Sequence, residues 1–370
     1  MDKDQFPIFL VATPGLEKAL CREAHELGFS EPRPVVGGVE ISGGWDEVWR
    51  ANLQLRGAGR VLVRIASFRA SHLAQLDKRA RAVAWGDVLR EDVPVRVEAS
   101  CRKSKIYHSG AAAERVQKAI AQELGAPIAD GADVRVLVRI ENDLCTISID
   151  TSGEGLHRRG HKLEVNKAPM RETMAALLLR ECGYTGNEPV LDPMCGSGTL
   201  VVEAAEIALG LEPGRSRPFA FEHLAGFDPA AWTAMKQTRQ SRDTAFLFYG
   251  SDRDAGAVRM SIANSERAGT SPVTRFAQTP VDLLERPEEP AGLVIVNPPY
   301  GSRLGDRKKL YPLYGALGQV LKTRFSGWRV GMVTSDRALA QATGLAFGKP
   351  GASIDNNGLR IALYRTGPLP

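Results

Sequence analysis

The sequence predicts an α/β protein whose C-terminal part forms a mostly parallel, doubly wound sheet with an antiparallel last strand. Three observations lead there. Short apolar runs near residues 188, 245, 272, 292, 328 and 359 alternate with stretches whose apolar residues recur at helical spacing, as such a sheet requires. The string DPMCGSGT at 192–199 puts two glycines between a strand (EPVL) and a helix (TLVVEAAEIALG). The turn pattern Asn356, Asn357, Gly358 is a hairpin signal ahead of the final run, so that run should return antiparallel.

Residues 1 to about 50 carry a helix at 15–28 and a short strand near GGVEI, too little to stand alone. Residues 51–150 alternate apolar strands (RVLVRIASF, VPVRVEAS, DVRVLVRI, LCTISIDT) with helical stretches, an α/β pattern. Glu141, Asn142 and Asp143 join the last two strands as a hairpin. Residues 151–167 are basic and glycine-rich and read as a linker that also touches substrate. An amphipathic helix is expected over 166–183, leading into the second sheet. Residues 210–242, with Pro213, Gly214, Pro218 and Trp232, form a long insertion between the first helix and second strand of that sheet. Shaping the substrate entrance and serving as a structural flap are equally open roles for it. No internal repeat stands out.

Composition bounds the function classes. At 370 residues and 43% hydrophobic content, the chain is long enough for two or three compact domains. It holds no run of about 18 apolar residues, so no membrane span is expected. Its start lacks a basic region followed by a long apolar stretch, which argues against secretion and for the cytoplasm. Five cysteines, Cys21, Cys101, Cys145, Cys182 and Cys195, are widely spaced without a CxxC pair, suggesting neither a disulfide framework nor a zinc site. His157 and His161 have metal-compatible spacing, but they flank Arg158, Arg159 and Gly160 in a basic loop, so no metal is expected.

The glycine loop carries the first chemistry. A turn without Cβ atoms lets backbone approach a ligand, and amides at a helix start bind its polar atoms. The triphosphate string GxxxxGK[ST] and the dinucleotide fingerprint GxGxxG are both absent. The loop begins instead with Asp192, which suits a cationic amino group, and the run AFLFYG is followed by Ser251 and Asp252. An acid at the end of the second strand can accept hydrogen bonds from both ribose hydroxyls. A nucleoside bearing an amino acid satisfies both acids, and S-adenosylmethionine is that molecule. The cofactor set is therefore Asp192, Pro193, Met194, Cys195, Gly196, Ser197, Gly198 and Thr199, with Asp252 and Asn297. An ordinary strand-to-helix turn and a helix N-cap at Asp252 are the plainer readings. Cys195 is read as a small loop residue rather than a nucleophile, since no histidine is near it in sequence.

The second motif is NPPY at 297–300, after the buried-type strand LVIV. Two prolines fix φ and remove two N–H donors, holding a rigid loop at the carboxyl end of a strand. The nitrogen of a base amino group is a poor nucleophile, because its lone pair is delocalised into the ring. The side-chain carbonyl of Asn297 and the backbone carbonyl of Pro298 could accept both N–H bonds and free that lone pair, while Tyr300 stacks on a flipped base. Pro299 completes the rigid turn. Positioning and dipoles rather than a strong base would supply most of the rate. A proline turn closing a strand is the plainer reading of the same residues.

With these residues in view, the chain resembles the THUMP-containing class I S-adenosylmethionine-dependent RNA methyltransferases, most closely the bacterial large-subunit (23S) ribosomal RNA guanine-N2 methyltransferases. The marks are FPIFLVATPGLEKAL, SGEGLHRRGHK, DPMCGSGTLVVEAA, YGSDRDAGAV, NPPYGSRLG and DNNGLRIALYRTGPL, which together cover nearly the whole chain. The resemblance implies a ferredoxin-like segment at 1–50, a THUMP RNA-binding domain at 51–155 and a Rossmann-like methyltransferase domain at 156–370. Fused relatives carry a second methyltransferase domain, whereas this sequence ends at Pro370; the second modification is therefore expected to be absent. QTPVDLL lacks the acid that relatives often carry near the adenine, and Asp282 is the nearest substitute.

Charge is local. The net charge is only +5, yet residues 50–115 hold 14 Lys and Arg against 6 Asp and Glu. Such an excess attracts phosphates without regard to sequence. Within it, Arg102, Lys103 and Lys105 precede a helix expected from Ala111, and the resemblance places this string in the THUMP module. A solvated charged face is the plainer reading of any one of them. Arg159 and Arg303 are further candidates for RNA or cofactor contacts. The expected activity is methyl transfer to the N2 amine of a guanine in structured RNA, with 23S rRNA favoured. The alternatives are a tRNA guanine, a DNA adenine N6 amine, and a non-catalytic RNA-binding assembly factor. The motifs do not name the guanine or the oligomeric state.

Overall fold

A computed structural model describes residues 5–163, 170–238, 241–300, 307–356 and 358–370, the side chains of 307 and 309 excepted. The chain forms two compact units: residues 1–12, 21–156 and 217–239 in one, and 13–20, 157–216 and 240–370 in the other.

The first unit is built on one seven-stranded sheet in the order β2-β3-β1-β4-β7-β6-β5. These strands are β1 (Phe6–Val11), β2 (Arg33–Val35), β3 (Gly38–Gly43), β4 (Arg60–Arg69), β5 (Val95–Arg102), β6 (Val134–Glu141) and β7 (Leu144–Asp150). β4 is the seam. Its first residues pair antiparallel with β1, and its length pairs antiparallel with β7, with an irregularity between Arg64 and Ala66. β1, β2 and β3 of the N-terminal segment therefore share a sheet with β5, β6 and β7, and the segment need not stand alone. β6 and β7 form the expected hairpin, and Asn142 and Asp143 at its tip have φ of 51° and 61°. Asn and Asp tolerate that left-handed region better than other residues with a Cβ.

Helices α1 (Glu17–Glu26), α2 (Trp45–Gln54), α3 (Leu73–Arg81) and α4 (Ser109–Glu123) complete this part of the chain. The aromatic half of the insertion belongs to the same unit. Phe221 lies 6.0 Å from the ring of Trp49 on α2, 5.1 Å from Phe219 and 5.0 Å from Trp232 of α7 (Pro229–Gln237). The amide of Phe221 also donates to the carbonyl of Thr151 at 3.0 Å. Of the two roles left open for the insertion, this aromatic anchoring is a structural one.

The second unit carries β8 (Val190–Asp192), β9 (Phe248–Asp252), β10 (Thr274–Gln278), β11 (Leu293–Val296), β12 (Arg329–Thr334), β13 (Ile354–Asn356) and β14 (Leu359–Arg365). Their order is β10-β9-β8-β11-β12-β14-β13. β8 to β12 are mutually parallel, and β14 runs antiparallel to both β12 and β13, as the hairpin signal required. The remaining helices are α5 (Glu172–Glu181), α6 (Thr199–Ala208), α8 (Ala255–Ala268), α9 (Arg307–Arg324) and α10 (Arg337–Ala342). The helix expected from 166 is described only from Glu172, because 164–169 lie outside the described residues. Val294, Val296, Val330 and Met332 pack under Tyr314, Leu317 and Leu321 of α9, all at most 1% exposed. Among the described residues no helix is long and apolar enough to cross a membrane.

In the described part of the segment read as a substrate-touching linker, Arg159, His161 and Lys162 turn inward, while Glu154, Arg158 and Leu163 stay exposed. Arg159 is 2% exposed, and its Nη2 lies 3.3 Å from Oε1 of Glu203 on α6. His161 Nδ1 stands 3.8 Å from Oε1 of Glu206, and Lys162 Nζ 3.5 Å from Oε1 of Glu172. Arg215 Nη2 reaches Glu206 at 2.5 Å. The physical reason lies in buried carboxylates, Glu203 and Glu206 on α6 and Glu172 on α5, which need the counter-charges of Arg159, Arg215 and Lys162.

Candidate active site

β8 and β11 are neighbours at the point where the strand order of the second unit reverses, and their carboxyl ends open the crevice in which such sheets hold ligands. Asp192 is the last residue of β8 and is 3% exposed. Its Oδ1 accepts a hydrogen bond from the amide of Met194 at 3.0 Å. Burial, and secondarily the charge of Asp252, push its pKa up to about 7 despite that bond. A carboxyl held this way gains from a cationic partner.

The turn after Asp192 is closed by backbone bonds, Cys195 N–H to Ser251 O at 2.9 Å and Gly198 N–H to Cys195 O at 2.8 Å. Gly196 and Gly198 have φ of 54° and 81°, where side chains with a Cβ are strained. At Gly198 space is also lacking, since a Cβ would stand 3.0 Å from the Cβ of Ser261. Gly198 is the N-cap of α6 and contributes no side-chain cap, so the helix starts with amide donors available to a ligand. Pro193 and Met194 come next to Asp192 in the turn, and Ser197 and Thr199 are buried. Cys195 is 6% exposed, and burial pushes its thiol far up, away from nucleophilic use.

Asp252 ends β9. Its Oδ2 accepts from Gly196 N–H at 3.1 Å and its Oδ1 from Asp254 N–H at 3.0 Å, so both oxygens are aimed by backbone. The N-cap of α8 is Asp254, not Asp252, which removes the capping alternative for Asp252. Two side chains of α8 that local sequence patterns did not point to brace the loop. Ser261 Oγ donates to Gly196 O at 2.9 Å, and Asn264 Nδ2 to Ser197 O at 3.1 Å. Ser261, Asn264, Ser265 and Ala268 are all buried at helical spacing, and that polar stripe inside SIANSERA was the available signal.

Asn297 comes directly after β11. Its Oδ1 is buried, yet it has no hydrogen-bond partner among the described residues. Such an oxygen costs free energy unless a ligand supplies the donor. Pro298 is buried and Pro299 exposed. The carbonyl of Pro299 accepts from the Tyr314 hydroxyl at 3.2 Å, and the same hydroxyl lies 3.4 Å from Thr334 Oγ1. Tyr300 packs against the cluster around Tyr314, and burial raises its pKa. Tyr314 and Thr334 were not singled out by sequence, being far from the motif in the chain.

Of the remaining candidates, Arg102, Lys103 and Lys105 are exposed on the first unit. Their loop is tied down: Lys105 N–H donates to Asp143 Oδ1 at 2.8 Å, Asp143 N–H to Ser104 Oγ at 3.1 Å, and Ser104 Oγ to Arg102 O at 2.8 Å. Arg159, a candidate for RNA or cofactor contacts, has its guanidinium buried against Glu203 rather than on the exposed surface. Arg303 lies outside the described residues. Asp282 is exposed in a single turn at Val281–Leu283. His157 is pushed down to about 4 by burial and then by Arg171 and Arg158. Among the described residues no three His, Cys, Asp or Glu side chains gather as a metal site.

Comparison with known proteins agrees with this architecture. Residues 159–352 match the RMKL-like methyltransferase domain, residues 7–62 the RlmL ferredoxin-like domain and residues 70–150 the THUMP domain. A ribosomal RNA large subunit methyltransferase K/L of Syntrophotalea carbinolica is 36% identical over 91% of this chain and 50% of its own length. The chain thus spans about half the length of the curated relatives it matches. A Listeria monocytogenes structure, described as a predicted N6-adenine-specific DNA methylase, superposes with TM-score 0.89 at 32% identity, covering 98% and 97% of the two chains. The SMU.472 protein, solved in complex with SAH, superposes with TM-score 0.91 at 27% identity over 100% and 99%. With its matched domain covering more than half of its residues, the chain belongs to the RMKL-like methyltransferase family and carries the RlmL ferredoxin-like and THUMP domains in front of it.

Proposed function

We propose that the protein transfers a methyl group from S-adenosylmethionine to the exocyclic N2 amine of a guanine in RNA, with 23S rRNA as the substrate. The observation that carries this reading is the buried, unpartnered Oδ1 of Asn297 at the carboxyl end of β11. It is an acceptor waiting for a donor that the described residues do not provide.

The residues fit the cofactor. Asp192 would hold its amino group, the uncapped start of α6 its carboxylate, and Asp252 its ribose hydroxyls. When bound, it supplies an electrophilic methyl sulfonium. Asn297 and the carbonyl of Pro298 would accept the two N–H bonds of the base amine, freeing the nitrogen lone pair, and Tyr300 would stack on the base. The tether from Tyr314 keeps the proline turn rigid. Arg102, Lys103 and Lys105 would grip phosphates. Functionally we divide the chain at 1–50, 51–155 and 156–370, and place the protein in the cytoplasm with ribosomal RNA.

The test is nucleoside mass spectrometry of separated 23S rRNA and tRNA from cells with and without the gene. Loss of N2-methylguanosine from 23S rRNA alone supports the reading. Loss from tRNA alone transfers it to a tRNA guanine, and no change in either pool overturns it. The name of the Listeria structure raises an adenine amine as the other target. Purified protein should methylate 23S rRNA from the deletion strain and leave adenine-containing DNA unmodified.

A further inference from the structure

Ser261, Asn264 and Arg267 follow one another on α8 at a spacing of three, so they share one side of the helix. The first two take the carbonyls of consecutive peptides in the glycine loop. Ser261 Oγ donates to Gly196 O at 2.9 Å, and Asn264 Nδ2 donates to Ser197 O at 3.1 Å. Arg267 stands one link further out: its Nη2 donates to Asn264 Oδ1 at 2.6 Å, and its Nε donates to the carbonyl of His161 at 2.9 Å. All of these residues belong to the second unit.

The donors and acceptors give this chain of bonds a direction. A guanidinium can only donate, so Arg267 takes the oxygen of the Asn264 amide and leaves the nitrogen to face the loop. The loop needs that donor. Gly196 and Gly198 flank Ser197 with φ of 54° and 81°, and glycine offers little resistance to a peptide turning over. In a trans peptide the carbonyl and the following amide point opposite ways, so the Gly196 carbonyl, turned to α8, leaves the Ser197 amide turned away from it. The loop has room at Gly196, where an added Cβ would meet nothing within 4 Å among the described residues. A peptide that turned over would present a carbonyl oxygen where an anionic ligand group requires an amide.

We infer that Asn264 and Arg267 are positioning residues for S-adenosylmethionine. Arg267 orients the Asn264 amide, Asn264 holds the Ser197 peptide, and the segment around His161 is tied to the cofactor loop through them. The inference rests on the proposed placement of the cofactor at Asp192, Asp252 and the start of α6. It gives the string HRRGHK a part in cofactor binding that uses its main chain and not its charges.

The test is calorimetric titration of the full-length protein with SAH, with circular dichroism to confirm folding. Asn264→Asp keeps the size of the side chain and its acceptor for Arg267, but it sets a second acceptor against the Ser197 carbonyl. SAH affinity should fall at least about tenfold, since one bond is lost and a repulsion takes its place. KM for RNA should stay at its wild-type value. A role confined to tying α8 to the His161 segment would survive in the Asp variant, so wild-type SAH affinity there overturns the inference.

A double-mutant cycle tests the relay. Arg267→Ala should weaken SAH binding roughly 3- to 10-fold, and adding it to Asn264→Ala should cost nothing more, because Arg267 acts through that amide. Wild-type affinity in Arg267→Ala, or effects that multiply, overturns the inference. If Asn264→Asp proves unfolded, this cycle decides alone. Asp252→Ala is measured alongside. If it keeps wild-type SAH affinity, the placement of the cofactor itself falls; if it binds weakly while Asn264→Asp and Arg267→Ala bind normally, only the positioning inference falls.

Discussion

Asp252 Oδ2 accepts the amide proton of Gly196 at 3.1 Å, so the acid at the end of the second parallel strand and the glycine loop of the first form one unit. The same carboxylate also receives the Asp254 amide on its other oxygen. Removing it deletes a ligand for the ribose and loosens the loop that faces the rest of the cofactor. Asp252→Ala should therefore weaken S-adenosylmethionine binding at least tenfold, which corresponds to about 1.4 kcal/mol. Titration calorimetry checks this, and wild-type affinity in the variant would remove the ribose assignment.

Asp192 gives a pH dependence with a definite sign. Its pKa is raised to about 7 in the folded protein without ligand, against 3.8 for the free group. A raised carboxyl favours folding below its unfolded pKa, and this contribution is lost as pH climbs from about 4 through about 7. The ionisation cost at neutral pH and above is about 4 kcal/mol, an upper bound before water relaxes around the site. Asp192→Asn should melt higher than wild type at pH 8, with the difference vanishing near pH 4. Cofactor affinity runs the other way, because the ionised carboxylate is the form that binds an ammonium. Wild-type affinity should fall as pH drops below about 7, and the Asn variant should bind weakly at every pH. Thermal melts and calorimetry across pH 5 to 8 check both.

Most of the fold was legible because periodicity and turn chemistry act locally. The β6–β7 hairpin was marked by Asn142 and Asp143, and the returning β14 by the Asn-Gly signal in the sequence before it. The glycine loop and NPPY were legible because each packs its chemistry into a few consecutive residues. What could not be read locally was the destination of side chains. Arg159 carries the same charge as Arg102, yet it lies against the buried Glu203 on a helix about 40 positions later. Tyr314 reaches the Pro299 carbonyl of NPPY through a tertiary contact that no spacing rule encodes.

The two arginines accordingly make opposite predictions. Arg159→Ala takes the guanidinium from a buried carboxylate and should cost about 3 kcal/mol of stability, in the range for broken buried pairs. Urea unfolding reads that loss, and the salt dependence of RNA binding by the folded variant should match wild type. Arg102→Ala should leave stability nearly unchanged and reduce the slope of log K against log salt by about 0.7 to 0.9, the value of one phosphate contact. If Arg159→Ala flattened the salt slope while keeping wild-type stability, its assignment to the interior would be wrong.

The Tyr314 hydroxyl separates rigidity of the proline turn from the chemistry of the clamp. It is buried and pushed up to about 12 by burial, so it remains a protonated donor over the working pH range. Its bond to the Pro299 carbonyl fixes the peptide next to Pro298, whose own carbonyl is the proposed second acceptor for the base amine. Tyr314→Phe keeps the ring in its apolar cluster and removes that bond, together with the longer contact to Thr334 Oγ1, a loss of about 1 kcal/mol. If the bond matters more in the transition state than in the ground state, kcat should fall several-fold while KM for RNA and affinity for the cofactor stay near wild type. Steady-state kinetics with both substrates varied decide the matter. An unchanged kcat would mean that the two prolines fix the turn without help, whereas a rise in KM alone would mean that the tether serves RNA binding and not the transfer of the methyl group.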